Sequence, residues 1–571
     1  MVARFAAPLL VSLALAGCAA SPPMSAAPPV DAAPVVAEVP APALAPAPPP
    51  SGPPRLILAI SVDQLSADLF AQYRARFTGG LARLQQGAVF PSGYQSHAAT
   101  ETCPGHSTIL TGVRPARNGI VANTWFDLGL TRAKKAVYCA EDETQVAADP
   151  KDYVASAIHL KVPTLGDRLK AVQPGARNIA VSGKDRGALM MGGQAIDQVY
   201  WWKGTGFSTL AGRELGPSAR ALNAAITAEL AQAAPPMALS ADCARQDRAV
   251  TAGALTVGTG RFERAAGDAT RFRISPRFDA LTAELAMKLV AELDLGNGAG
   301  TDVLSLGLSA TDYIGHAVGT EGAEMCLQMH ELDATIGALL AFLDSRGIDY
   351  AAVLTADHGG LDLPERLVQQ GLPGAARVDP ALIPEALGTA IATQLKIVGK
   401  DPLLTGDGPF GDFYLNRALT PAQRKAVLGE LKKLVVHPQV AAVFTAEELD
   451  RAPMPDGSPE SWSLLDRARA SYFKGRSGDA VVLLDRAIVP IPRPAPGYTA
   501  THGSPWDYDR RVPMLFWRRG MTGFEQPSAV ETVDIAPTLA ALIGLAVPRG
   551  EFDGRCLDLD PGPGDTCSGV R

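Results

Sequence analysis

Three aspartates and three histidines of the types that bind divalent cations lie between residues 63 and 502: Asp63, Asp312, Asp357, His316, His358 and His502. Three carboxylates and three imidazoles are enough for two metal ions sharing one cavity, and mixed nitrogen and oxygen ligation suits zinc better than magnesium or calcium. In "DYIGH", Asp312 and His316 are four residues apart, so one helical turn can bring both to one ion. In "ADHGG", Asp357 and His358 are neighbours that diverge in a loop, and the glycines permit a tight turn. A cationic pair, Lys184 and Arg186, stands two apart in "SGKDRGA". The hexapeptide "ETCPGH" (101–106) holds two candidate nucleophiles, Thr102 and Cys103. A threonine hydroxyl is a poor nucleophile unaided and the thiol is intrinsically the better one. The residues alone leave that choice open.

The elements that must position these groups are legible as apolar runs. "RLILAISVDQ", "NIAVSGKDRGA", "TDVLSLGLSATDYIGH" and "YAAVLTADHGG" each read as a strand buried on both faces, followed at once by candidate residues. A weaker run precedes Thr102, which falls just before a helix start expected at Pro104-Gly105. Between the runs, "DALTAELAMKLVAELD" and "EMCLQMHELDATIGALLAFLD" have the three- and four-residue apolar spacing of amphipathic helices. Alternating strands and helices predict an α/β fold: a mostly parallel central sheet with helices on both faces. In such sheets ligands bind beyond the carboxyl ends of the strands, so scattered Asp and His residues converge on one rim. Two stretches, about 200–276 and 361–479, read as insertions that cap this rim. "TPAQRKAVLGELKKLV" within the second reads as a surface helix.

The ordered set "SVDQ", "TCPGHSTILTG", "NGIVANTWFD", "SGKDRGA", "SATDYIGHAVG", "TADHGG" and "THGSPW" resembles the alkaline phosphatase superfamily. Within it the chain most resembles bacterial alkaline phosphatases with a threonine nucleophile, close to nucleotide pyrophosphatase/phosphodiesterases. The resemblance implies two Zn²⁺ ions, one held by Asp312, His316 and His502, the other by Asp63, Asp357 and His358 and touching Thr102. It implies Thr102 as nucleophile, with Asn123, Lys184 and Arg186 on the phosphoryl oxygens. Cys103 then points away from the metals as a small buried apolar residue, and His106 is a structural residue of the first helical turn. Two cations reward a monoester dianion more than a diester, so small phosphate monoesters are the expected substrates, with phosphodiesters or nucleotide pyrophosphates as the alternative. A sulfatase would carry Cys or Ser in a C-x-P-x-R setting; here Pro104 follows Cys103 directly and His106 stands where the arginine would be. His97, His159, His330 and His437 read as structural or surface residues, and Trp201-Trp202 as packing.

The 571 residues carry a net charge of −7, which argues against a nucleic-acid partner reliant on a basic surface. The opening "MVARFAAPLLVSLALAGC" has the layout of a secretory leader (1–17) and ends in a lipobox-like Leu15-Ala16-Gly17-Cys18. That resemblance implies cleavage before Cys18, lipidation of its sulfur, and, with Ala19 following, export to the periplasm or cell surface on an outer-membrane anchor. Residues 18–54 read as a Pro/Ala-rich tether, with 13 prolines in the 36 residues from Ala19 to Pro54. Residues 55–571 read as the catalytic domain. In an oxidising compartment the cysteines are expected to pair, Cys556 with Cys567 and Cys139 with Cys243.

Overall fold

A computed structural model describes residues 52–147, 149 and 152–568 of the chain. The expected leader, Cys18 and the tether up to residue 51 lie outside the described residues. The last residues of the tether segment already belong to the body. The Pro54 carbonyl accepts from Thr301 Oγ1 at 2.7 Å, and that of Gly52 from Arg518 Nη1 at 2.8 Å. Among the described residues no helix is long and apolar enough to cross a membrane.

The core is a ten-stranded sheet. In chain order its strands are β1 (Leu56–Val62), β2 (Ala88–Tyr94), β3 (Asn178–Ser182), β4 (Gln198–Lys203), β5 (Gly206–Ser208), β6 (Asp302–Leu308), β7 (Tyr350–Thr355), β8 (Arg511–Arg518), β9 (Phe524–Glu525) and β10 (Val530–Glu531). Their spatial order is β9-β2-β8-β7-β1-β6-β3-β4-β5, with β10 beside β2. The centre, β7-β1-β6-β3-β4, is parallel, and β8 runs antiparallel to both β7 and β2. All seven residues of β1, LILAISV, are buried, as are those of β6 and β7.

Alternate side chains of β1 serve opposite layers, as the period of two requires. Leu58, Ile60 and Val62 join one core with Leu285 and Leu289 of α3 (Arg277–Glu292) and Leu332 and Ile336 of α5 (Ala323–Ser345). Ile57 and Ala59 join another with Ile109 and Leu110 of α1 (Thr102–Thr111) and with Ile535 and Leu539. Each fully buried aliphatic side chain stabilises the fold by about 1.5–3 kcal/mol. The remaining helices used below are α2 (Asp185–Gly192) and α4 (Ala310–Val318).

Register aligns the strand ends. Val62 pairs with Leu308, Ser61 with Thr355, and Gly307 with Ser182. The residues that follow β1, β3, β6 and β7 therefore share one rim.

The stretch from 200 to 276 begins inside this sheet, since β4 and β5 occupy its first residues. Trp202 stacks on Phe272 and meets Phe207 and Phe278 edge-on, so it is core. The stretch from 361 to 479 supplies most of a second, antiparallel sheet with strands in the order Leu404–Thr405, Gly411–Leu415, Ala480–Leu484 and Val440–Thr445. This cap sheet has its own core around Phe413, Leu415, Val427 and Leu431. The expected surface helix spans Pro421–Lys432, opened by a capping box between Thr420 and Gln423.

Cys556 pairs with Cys567 as expected. The other suggested pairing is corrected: Cys139 bonds Cys103, and Cys243 bonds Cys326. Cys139 and Cys243 sit in different hydrophobic clusters, each beside the partner it takes.

Candidate active site

Thr102 is the first residue of α1, two residues earlier than the helix start expected from Pro104-Gly105. Pro104 is tolerated there because first-turn N–H groups have no helical partner. Every residue of α1 is buried. A Cβ on Gly105 would stand 2.0 Å from the carbonyl oxygen of Asp357, so α1 packs backbone to backbone on the loop after β7. No residue with a side chain fits at that position without moving Thr102 or Asp357.

The rim brings the six candidate ligands together. Asp312 Oδ1 lies 3.4 Å from His316 Nε2, across one turn of α4, and 3.4 Å from His502 Nε2. Asp357 Oδ2 lies 3.1 Å from His358 Nε2. Its Oδ1 accepts from the backbone N–H groups of Gln64 and His358, at 3.1 and 2.9 Å. The three imidazoles share one design. Nδ1 of His316, His358 and His502 donates to the backbone carbonyls of Ala500, Gly359 and Thr100, at 2.8, 2.9 and 2.8 Å. With Nδ1 engaged in this way, Nε2 is the ring nitrogen left to meet a metal.

Two groups of ligand atoms, each within 4.8 Å of one another, are suited to a cation: Asp312, His358 and His502, and Asp63, His106 and Asp357. This differs from the division the resemblance implies. His358 stands between the groups, with its ring stacked on His502 at 3.5 Å between centroids. His106 was read as a first-turn structural residue. Its Nδ1 does donate to the Thr102 carbonyl at 2.9 Å, yet the ring also lies 3.3 Å from Asp63 and 3.2 Å from Asp357. A histidine one turn after Thr102 on the helix was the available signal for this placement.

Several buried atoms here make no hydrogen bond: both oxygens of Asp63, Asp312 Oδ1, Asp357 Oδ2, His358 Nε2 and Thr102 Oγ1. Buried carboxylates need partners, and this donor set of carboxylates, imidazoles and one hydroxyl fits divalent metal ions. Lys184 Nζ lies between two of the carboxylates, 3.0 Å from Asp63 and 2.5 Å from Asp312.

Burial alone would raise the Asp312 and Asp357 carboxyls. Lys184 and His316 hold the first, and His358 and His106 the second, well below the usual range. Burial would lower Lys184 and His106, but Asp312 and Asp63 hold the lysine above its ordinary value, and Asp357 and Asp63 raise His106 to about 10. His502 is pushed down to about 4 by burial and by the charge of His358. Arg186 is raised despite burial by Tyr138 and Asp185, and its Nη1 donates to Tyr138 Oη at 3.3 Å. The phenols of Tyr138 and Tyr153 in turn donate to Asp185, at 2.8 and 2.6 Å.

Asn123 is tied to the residues on either side of Thr102. Its Oδ1 accepts from Cys103 N at 2.8 Å and its backbone N–H donates to Glu101 Oε2 at 2.7 Å. Its carbonyl accepts from Cys139 N at 2.9 Å. The Cys103–Cys139 disulfide closes the same loop, so Cys103 is a cross-link rather than a free apolar residue.

Residues 57–505 match the family described as type I phosphodiesterase / nucleotide pyrophosphatase. The chain is 56% identical over 521 residues to alkaline phosphatase PhoK of Sphingomonas sp, covering 90% of this chain and 93% of that protein. It is 50% identical over 523 residues to alkaline phosphatase PhoD of Zymomonas mobilis, covering 90% and 89%. The crystal structure of the alkaline phosphatase PafA shares the fold, with a TM-score of 0.76 at 22% identity, covering 89% of this chain and 99% of that one. With its metal-suited rim and this match over most of its length, the chain belongs to the type I phosphodiesterase / nucleotide pyrophosphatase family of the alkaline phosphatase superfamily.

Proposed function

We propose that this chain is an alkaline phosphatase that hydrolyses phosphate monoesters through a phosphothreonine formed on Thr102, at a site holding two zinc ions. The observation that carries this reading is a buried hydroxyl without a hydrogen-bond partner, Thr102 Oγ1, heading a helix whose rim also holds buried oxygens of Asp63, Asp312 and Asp357 and the Nε2 of His358 that make no hydrogen bond. The names of the relatives at 56% and 50% identity support the monoesterase reading. Asp63, Asp312, Asp357, His316, His358 and His502 would hold the ions. When bound, zinc supplies positive charge that acidifies the threonine hydroxyl and stabilises the transferring oxygens.

The chain's own groups do the rest. Thr102 Oγ1 attacks phosphorus as the bond to the leaving alcohol breaks. Water then cleaves the Oγ1–phosphorus bond, returning the hydroxyl and releasing inorganic phosphate. The first N–H groups of α1 face the anion. Asn123 Oδ1 is committed to Cys103, so its Nδ2 is the donor it can offer a phosphoryl oxygen. Lys184 and Arg186 add the charge that favours a dianion over a diester. The family's phosphodiesterase members make diester hydrolysis the second reading. It wins if a matched monoester and diester are cleaved at equal kcat/KM and Lys184→Ala lowers both alike.

The direct test is acid quenching during turnover, followed by peptide mass analysis. The reading expects a phosphate on Thr102 in the wild type and none in Thr102→Ala. Hydrolysis by Thr102→Ala at the wild-type rate would overturn it. We further propose that residues 1–17 are a leader, that Cys18 carries a lipid anchor to the outer membrane, and that residues 18–54 tether a domain spanning 55–571. The role would be phosphate acquisition from small organic esters. Fatty-acid labelling lost in Cys18→Ala, and induction under phosphate starvation, are the results expected.

A further inference from the structure

Between the start of α1 and the cap sheet lies a cavity of about 50 Å³. Its wall runs through residues that flank three site residues: Glu101 before Thr102, Ala122 and Thr124 on either side of Asn123, and Gly503 after His502. Thr102, Asn123 and His502 do not line it themselves, so the cavity adjoins the site through their neighbours.

Its chemistry is specific. Phe126, Phe410 and Tyr414 line it together with Glu101, Asp407 and Asp412, and among the described residues no lysine, arginine or histidine does. Phe126 and Tyr414 pack at 5.6 Å between centroids, joining the hairpin that follows Asn123 to the cap sheet. Phe410 closes against the His502 loop, where a Cβ on Gly503 would stand 2.8 Å from its ring and 3.7 Å from Glu101 Cγ. Asp412 Oδ1 accepts from Gly478 N at 2.7 Å. Burial, with added repulsion from Asp479, pushes Asp412 up to about 7. Such a lining repels an anionic alcohol and gives a neutral one only apolar contact. An alkylated ammonium gains from both features, the partly buried carboxyls of Glu101 and Asp412 and the aromatic faces.

We propose that this cavity is the leaving-group subsite and selects phosphate monoesters whose alcohol carries an alkylated ammonium, with Asp407, Asp412, Phe126, Phe410 and Tyr414 setting the preference. This rests on the phosphomonoesterase reading and adds the class of alcohol.

The test compares choline phosphate with its uncharged isostere, 3,3-dimethylbutyl phosphate, using p-nitrophenyl phosphate as the reference substrate for the metal-loaded full chain. The wild type should prefer the charged ester by about tenfold or more in kcat/KM, as one desolvated cation–aromatic contact implies. That ratio should fall toward one in Asp407→Asn/Asp412→Asn. If the double variant melts early, Asp407→Asn alone carries the test, since Asp407 is exposed, and it should lower the ratio at least threefold. A wild-type ratio near one, with p-nitrophenyl phosphate still hydrolysed, overturns the subsite and leaves the phosphatase reading standing. A preference unchanged in Asp407→Asn and in the double variant overturns the assignment to this cavity. No hydrolysis of any of the three esters removes the phosphatase reading, and the subsite with it.

Discussion

Carboxylates are withdrawn from water in two adjoining places, fully in one and partly in the other, and the chain treats them in opposite ways. At the carboxyl edge of the central sheet, Asp312 and Asp357 are held well below the usual range. Beside the cap sheet, Glu101 and Asp412 are pushed up to about 7. Burial is the largest influence at all four and pushes each upward. Neighbours decide the outcome: Lys184, His106, His316 and His358 surround the first pair, whereas backbone N–H groups from Asn123 and Gly478 offset only part of the cost for the second. Burial alone thus says little about the charge a carboxyl carries. The edge keeps negative charge, as residues suited to a cation would. The cavity beside it keeps acidic groups without resident cations of its own.

The sharpest way to break this contrast is at Thr102, the proposed nucleophile, between the two regions. Thr102→Ala should lower kcat/KM for a monoester by roughly 10³-fold or more, with an unchanged melting profile as the folding control. Chelation should abolish activity to a similar extent, and zinc should restore it; activity that survives exhaustive chelation would count against the edge as a metal site. Lys184→Ala should cost roughly 10²-fold on a monoester and clearly less on the matched diester, read from parallel kcat/KM values.

The cap side is sharpened by stability rather than rate. The folded-state value of Asp412 lies above its unfolded value, so the unfolded chain ionises first as pH rises. The resulting loss of stability begins above about pH 4 and is complete above about 7. Asp412→Asn should therefore gain stability relative to wild type across that window, by roughly 1 kcal/mol after allowing for partial solvation, measured by urea unfolding at pH 5 and pH 8. An equal difference at both values would show that Asp412 does not titrate there.

The central strands were legible because β1, β6 and β7 are continuous apolar runs, and a strand buried on both faces needs nothing else. Once their ends align, Asp63, Asp312 and Asp357 must share a rim, so much of the site follows from the order of motifs. The cysteine pairings did not follow. Cys103 meets Cys139 only because the hairpin after Asn123 folds back onto α1, a contact with no local pattern. His106 was under-read for a related reason. Its spacing from Thr102 indicated one helical turn, but not that Asp63 and Asp357 would close on the ring from two separate strands. The cap cavity was invisible because Glu101, Phe126 and Asp412 come together only when the second sheet docks.

Metal content tests the central claim most directly: zinc per chain, measured by elemental analysis after purification without chelators and dialysis against trace zinc. The account predicts two per chain in the wild type and no more than one in either Asp63→Ala or Asp312→Ala, with activity lost in step. A wild type that hydrolyses monoesters while holding no metal, or variants that bind as much zinc as the wild type, would contradict it.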